Sequence, residues 1–146
     1  MGGAWSSMRL DAKQPGPIQA LLGHWRVRRI VRDFTGPMDC VFSGEASITG
    51  DGFSEDGEIR IGDRTLPASR AYRLESEGRS VLVFRGEALF VRLGEQPSQI
   101  VRHRCGEDSY VGRFFFRNED EWVEVWRVKG PRKNYASLGR FHRLSR

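Results

Sequence analysis

The sequence predicts an all-β fold: an antiparallel up-and-down barrel of about ten strands behind one short helix. Three observations carry that prediction. Turn-forming residues recur about every 8–12 positions, the spacing of an antiparallel meander. They are Thr35-Gly36-Pro37, Gly50-Asp51-Gly52, Asp56-Gly57, Gly62-Asp63, Glu77-Gly78, Gly86, Gly94–Ser98, Cys105-Gly106, Asn118-Glu119-Asp120 and Gly130-Pro131. The segments between them are rich in Val, Ile, Phe, Tyr and Trp, which suit a pleated, half-buried surface. Within those segments apolar residues alternate with polar ones, as one lined face of a sheet requires.

The elements follow in order. Residues 1–17 are rich in Gly, Ser and Pro and read as a flexible arm; residues 18–146 read as a single barrel domain. Ile18–Leu22 predicts one helical turn that Gly23 ends. Strands are predicted near 24–34, 39–49, 52–61, 65–75, 79–85, 88–93, 99–105, 108–117, 121–129 and 133–144. In the first, Trp25, Val27, Arg29 and Val31 share a face, opposite Arg26, Arg28, Ile30, Arg32 and Phe34. In the second, Cys40, Phe42, Gly44, Ala46 and Ile48 share an apolar face. Tyr110, Gly112, Phe114 and Phe116 form another such row, as do Trp122, Glu124, Trp126 and Val128.

Bulk composition bounds the function classes. At 146 residues the chain supports one domain with a core of its own. It carries 24 basic and 19 acidic side chains, a formal charge of +5, with Lys13, Lys129 and Lys133 the only lysines. The two signs alternate along the chain, so the expectation is a solvated mixed-charge surface. Arg113, Phe115 and Arg117 form an outward row of the kind single-strand nucleic-acid binders use, but outer rows of a barrel are charged anyway, and nucleic-acid binding is not expected. No stretch approaches the ~20 apolar residues of a membrane span. Cys40 and Cys105 make no disulfide framework, and with His24, His103 and His142 they have no metal-site spacing, so no metal or cofactor is predicted. There is no signal-peptide pattern, and the expected location is cytoplasmic; Met1-Gly2-Gly3-Ala4-Trp5-Ser6 fits the short myristoylation pattern formally.

Gly23-His24-Trp25, set between a helical turn and the first strand, resembles the G-x-W opening of the calycins, the lipocalin and fatty-acid-binding-protein superfamily. The resemblance implies a calycin-like barrel in which Trp25 closes one end beneath a basic residue of the last strand. Arg143 is the expected partner, with Arg140 the alternative. A second resemblance spans residues 21–143. Leu22-Gly23-His24-Trp25, Gly44-Glu45-Ala46 and Arg70-Ala71-Tyr72 are similar to a family of unknown function. Residues 103–110 match its H-x-C-x-x-D-x-Y motif, and residues 126–135 its W-R-V-x-G-P-x-K-x-Y motif. The family is expected to be calycin-like and brings no activity with it. The chain departs from it at residues 84–91, where the family's F-x-D-G-R-x-F-H becomes Phe84-Arg85-Gly86-Glu87-Ala88-Leu89-Phe90-Val91. Any chemistry built there on Asp, Arg and His is thereby put in doubt.

Several residues are candidates for chemistry. Arg70 and Tyr72 share a face, and fatty-acid-binding proteins hold a ligand carboxylate with such a pair; an ion pair of Arg70 with Glu45, Glu58 or Glu124 is the plainer reading. Arg29 on the Trp25 face requires a buried partner, either Glu124 or an anionic ligand. His103 is either an acid/base group or a histidine satisfied by Asp108. Cys105 has no activator close enough to make it a nucleophile. Lys133, in the Gly130-Pro131-Arg132-Lys133 turn, would reach an anion at the barrel mouth. Asp51, Glu55, Asp56 and Glu58 read as a solvated acidic turn, not a calcium loop.

The expected function is binding of a small, largely apolar ligand with an anionic or carbonyl group. Phe42, Phe114, Phe116, Trp126 and Tyr110 would line the pocket, and Arg29, Arg70, Tyr72 and His103 would supply its polar contacts. One alternative is a cofactor-independent cyclase or isomerase with His103 and Tyr110 as acid/base pair and Arg70 stabilising developing negative charge. A second is a filled barrel that serves as an interaction module.

Overall fold

A computed structural model of the chain describes residues 17–36 and 39–146. The expected arm over 1–17 therefore lies outside the described residues up to Pro17, as does the formal myristoylation pattern. The chain folds as a short helix, α1 (Pro17–Leu21), followed by ten strands. These are β1 (Gly23–Asp33), β2 (Cys40–Ile48), β3 (Gly52–Ile61), β4 (Arg64–Glu77), β5 (Ser80–Arg85), β6 (Ala88–Leu93), β7 (Ser98–Cys105), β8 (Asp108–Asn118), β9 (Glu121–Lys129) and β10 (Asn134–Ser145). They form one antiparallel sheet in the order β6-β5-β4-β3-β2-β1-β10-β9-β8-β7. The sheet curls into a nearly closed barrel, with β1 and β10 joined in the wall and β6 facing β7 across an unladdered seam. The all-β meander and its ten strands are as the period-two pattern predicts.

Alternation fixes what lies inside. Trp25, Val27 and Arg29 of β1, Trp122, Glu124, Trp126 and Val128 of β9, and Ser137, Gly139 and Phe141 of β10 are buried in turn while their neighbours face outward or lie part-covered. Each large apolar side chain taken from water contributes roughly 1.5–3 kcal/mol, so this row-by-row filling is the main source of stability.

One turn signal misleads. Asp56-Gly57 lies in the middle of β3, where Gly57 pairs with Gly44 of β2. A Cβ on Gly57 would stand 2.2 Å from the Ser43 carbonyl oxygen, and one on Gly44 2.3 Å from that of Asp56. Gly57 is there for close strand approach, not for a turn. Its reassignment carries Glu55 with it. Read as part of a solvated acidic turn, Glu55 instead points into the barrel at 2% exposure, while Asp51, Asp56 and Glu58 do face solvent.

The base of the barrel is tied by Trp25 and Arg143, cross-strand partners on β1 and β10. The Arg143 guanidinium carbon stands 4.2 Å from the Trp25 ring centroid, a cation–π contact. Its nitrogens donate to the carbonyls of Ala20 (2.8 Å), Leu22 (2.5 Å) and Glu119 (2.9 Å), joining α1 to the β8–β9 turn. Trp25 Nε1 donates to the Leu21 carbonyl at 2.9 Å. Arg140 faces solvent. At the base end of the seam, the Gln99 amide donates to the carbonyls of Gly94 and Gln96, both at 2.8 Å, and accepts from Gly94 N–H at 2.7 Å. A side chain there replaces missing ladder bonds.

Among the described residues no helix is long and apolar enough to cross a membrane, and no three His, Cys, Asp or Glu side chains cluster as metal ligands. Cys40 and Cys105 are both free thiols.

Candidate functional site

Four charged side chains meet inside the barrel. Arg29 donates from both terminal nitrogens to the two Glu55 oxygens, each at 2.8 Å. Arg70 Nε stands 3.1 Å from Glu55, and Arg70 Nη2 donates to Glu124 at 2.9 Å. Arg29 Nη2 lies 3.6 Å from Glu124. The result is a two-plus, two-minus ring with no net charge. Bidentate geometry and mutual neutralisation are what make such burial tolerable. Phe42 and Phe53 face the guanidinium groups of Arg29 and Arg70 at 5.2 and 5.4 Å. Arg70 Nη1 also reaches the Tyr72 hydroxyl at 3.4 Å.

Beside this ring stands an aromatic hub centred on Phe90. In the β5–β6 ladder Val83 pairs with Val91 and Phe84 with Leu89, so Phe90 is the extra residue of a β-bulge. The bulge turns Phe90 inward beside Val91, and both are buried. The Phe90 ring stacks on Tyr72 (5.9 Å) and Trp126 (5.4 Å) and meets His103 (4.9 Å) and Tyr110 (5.8 Å) edge-on. It closes the mouth end of the seam with side chains. Trp126 can lie flat here because its cross-strand neighbour is Gly112, where a Cβ would meet the indole at 2.7 Å.

Two spaces adjoin the hub. An inner cavity of about 70 Å³ runs among Phe53, Leu74, Val83, Phe114, Phe116 and Trp122. A mouth cavity of about 200 Å³ is lined by Arg29, Arg85, Tyr110, Tyr135 and Ser137. Arg70, Tyr72, Phe90 and Trp126 border both. A third space, about 420 Å³, opens at the base beside α1.

Arg85 ends the inward row of Val81 and Val83 and stands over the Phe90 ring at 4.2 Å. Among the described residues it has no carboxylate within ion-pair distance. Burial opposes its charge, but hydrogen bonding and charge from the Tyr72 and Tyr110 phenols outweigh it, so its pKa lies above the usual arginine value. Lys133 Nζ donates to the Tyr110 hydroxyl at 2.8 Å and stands 3.3 Å from Asp108. Those contacts, the Tyr110 bond foremost, hold its pKa above the usual lysine value. Burial, by contrast, is what pushes the Tyr135 hydroxyl above its ordinary value. With Arg29 and Arg70 neutralised by Glu55 and Glu124, and Lys133 by Asp108, the mouth keeps, among the described residues, one free positive charge, on Arg85.

The candidates read from the sequence fall into three places. Arg29, Arg70, Tyr72, Tyr110 and Trp126 meet at the mouth, and Phe114 and Phe116 line the inner cavity. Phe42 lies deeper, beside Arg29, and borders neither space. His103 is half-buried against Phe90 and borders neither; its ring centre is 5.9 Å from that of Tyr110, and Asp108 is engaged by Lys133. For Arg70 the paired carboxylate is Glu124, joined by Glu55; Glu45 and Glu58 face outward. Glu55, Arg85, Phe90, Tyr135 and Ser137 were not among the candidates. Arg85 and Glu55 could have been found by extending the Val81-Val83 and Phe53 rows by two residues.

Residues 21–143 match the profile of a family of unknown function, DUF6314. The chain belongs to that family. No curated protein sequence matches it. Among solved structures, the DUF6314 barrel is similar to an S-type phycobiliprotein lyase from Guillardia theta. The identity is 13% and the TM-score 0.61, over 86% of this chain and 89% of that one. It is also similar to a protein of unknown function from Nostoc punctiforme, of the DUF3598 family, with 16% identity and a TM-score of 0.59. That match covers 90% of this chain but 51% of the other, so the chain spans about half of it. At these identities the likeness establishes the shared barrel fold.

Proposed function

We propose that, of the anionic and carbonyl-bearing ligands the sequence suggests, the barrel binds a small, largely apolar acid whose anionic group is held at its mouth. The observation that carries this reading is Arg85, a cation without a carboxylate partner among the described residues, at a cavity rimmed by three phenols and Ser137. Apolar and aromatic surface lies immediately behind it. A planar guanidinium binds a carboxylate with two parallel hydrogen bonds, and Tyr72, Tyr110 and Tyr135 line the same cavity. Arg70, given the ligand role by its spacing from Tyr72, lines the same cavity while paired with Glu124 and Glu55. Closed meander barrels of this size commonly hold one small ligand, and the fold shared with a phycobiliprotein lyase supports the reading at the level of architecture.

Thermal-shift and calorimetric titration with 2-naphthoate, decanoate and their methyl esters test it. The acids should bind and the esters bind more weakly. Arg85→Gln should weaken the acids by about tenfold or more, the worth of a charge-assisted hydrogen bond, and leave the esters nearly unchanged. No binding of any acid, or equal losses for acid and ester, would overturn the reading.

A further inference from the structure

Arg70, Tyr72, Phe90 and Trp126 form the partition between the inner cavity and the mouth. The four are not equally fixed. Arg70 is held by two carboxylates. Trp126 on β9 is paired on both sides, with Gly112 and Ser137, and Tyr72 on β4 is paired with Phe53 of β3, next to the start of the β5 ladder at Arg73. Phe90 stands on β6, which among the described residues pairs with β5 alone, and it is the unpaired residue of a bulge. Its ring lies nearly parallel to those of Tyr72 and Trp126, inclined by 14° and 20°. It thus lies beside two aromatic rings in near-parallel, offset planes, with the Arg85 guanidinium directly over it.

We propose that Phe90 is a gate that occupies the ligand's own place: when it swings out, the slot it leaves beside Tyr72 and Trp126 takes the planar ring of an aromatic carboxylic acid whose carboxylate meets Arg85. The inference rests on the mouth-binding reading above and names its ligand class. Stacking against near-parallel rings favours a flat π-system over a saturated body of equal size. One free positive charge among the described residues suits a monocarboxylate better than a dianionic phosphate. Withdrawal of the ring joins the 70 and 200 Å³ spaces into a chamber near the ~300 Å³ at which small-molecule pockets begin.

The experiment compares wild type, Phe90→Ala and Phe90→Leu, titrated with 2-naphthoate, decahydro-2-naphthoate and methyl 2-naphthoate, with thermal melts to confirm folding. Phe90→Ala should bind 2-naphthoate about tenfold more tightly than wild type, since the ligand no longer displaces a packed ring. Phe90→Leu, which keeps a packed side chain, should show a smaller gain and serves if the alanine variant does not fold. The gain should be several-fold larger for 2-naphthoate than for its saturated counterpart. No gain in either variant, or equal gains for the flat and saturated acids, would overturn the gate. Combining Phe90→Ala with Arg85→Gln separates this from the mouth reading. If the acid loses affinity and the ester does not, the mouth reading stands whatever the ring preference. If the flat-ring gain persists but acid and ester behave alike, the slot stands and the mouth reading falls.

Discussion

Glu55 shows what a single residue does when alternation forces it inward. Its carboxylate is buried to 2% exposure and is shared by Arg29 and Arg70. A buried ion pair contributes little net stability, but removal of one partner strands the other charge and costs about 3–5 kcal/mol. Glu55→Gln should therefore lower unfolding free energy by roughly that amount. Glu58→Gln, on the exposed face of the same strand, should stay within about 0.5 kcal/mol. Urea denaturation of both variants decides it, and equal costs would contradict the ring of charges. The ring was only half legible in the sequence. Row parity alone places Arg29 and Glu124 inside. Glu55 was read from its acidic neighbours and the Asp56-Gly57 pair, and its Arg29 partner lies 26 residues away, a distance that local pattern does not bridge.

At the scale of the strand, period two made the wall legible, because burying one face of a sheet leaves the same trace whatever its partner. What escaped were features that depend on the partner. The Phe90 bulge exists only in the pairing with β5, and Gly112 is explained only by Trp126 across the ladder. Gly112 carries a prediction. A methyl group there would stand 2.7 Å from the Trp126 ring, tighter than packing allows. Gly112→Ala should destabilise the protein by about 1–3 kcal/mol through overpacking, and near-UV circular dichroism should change as Trp126 shifts. Gly50→Ala, with nothing within 4 Å of the added carbon, is the control. A Gly112→Ala variant with unchanged stability and aromatic spectrum would show that Trp126 does not rest on that glycine.

The whole barrel is asymmetric in how firmly it is closed. β1 and β10 share an uninterrupted ladder over most of their length, pinned at the base by Trp25 and Arg143. Opposite them, β6 and β7 share no ladder and are bridged by the Gln99 amide at one end and the Phe90 ring at the other. Strands with fewer partners open locally at lower free energy than the strands that carry the core. Hydrogen exchange followed by mass spectrometry should show β6 and β7 exchanging faster than β1 and β10. Gln99→Ala, which removes the three amide bonds to Gly94 and Gln96, should accelerate exchange across residues 94–105 and leave β1 and β10 at the wild-type rate. The two ends of the seam should also respond separately, since 2-naphthoate at the mouth would reorganise Phe90 without touching the Gln99 clamp. If β6 instead exchanges as slowly as β10, the wall is closed in solution all the way round, and a gate on β6 has no freedom with which to open.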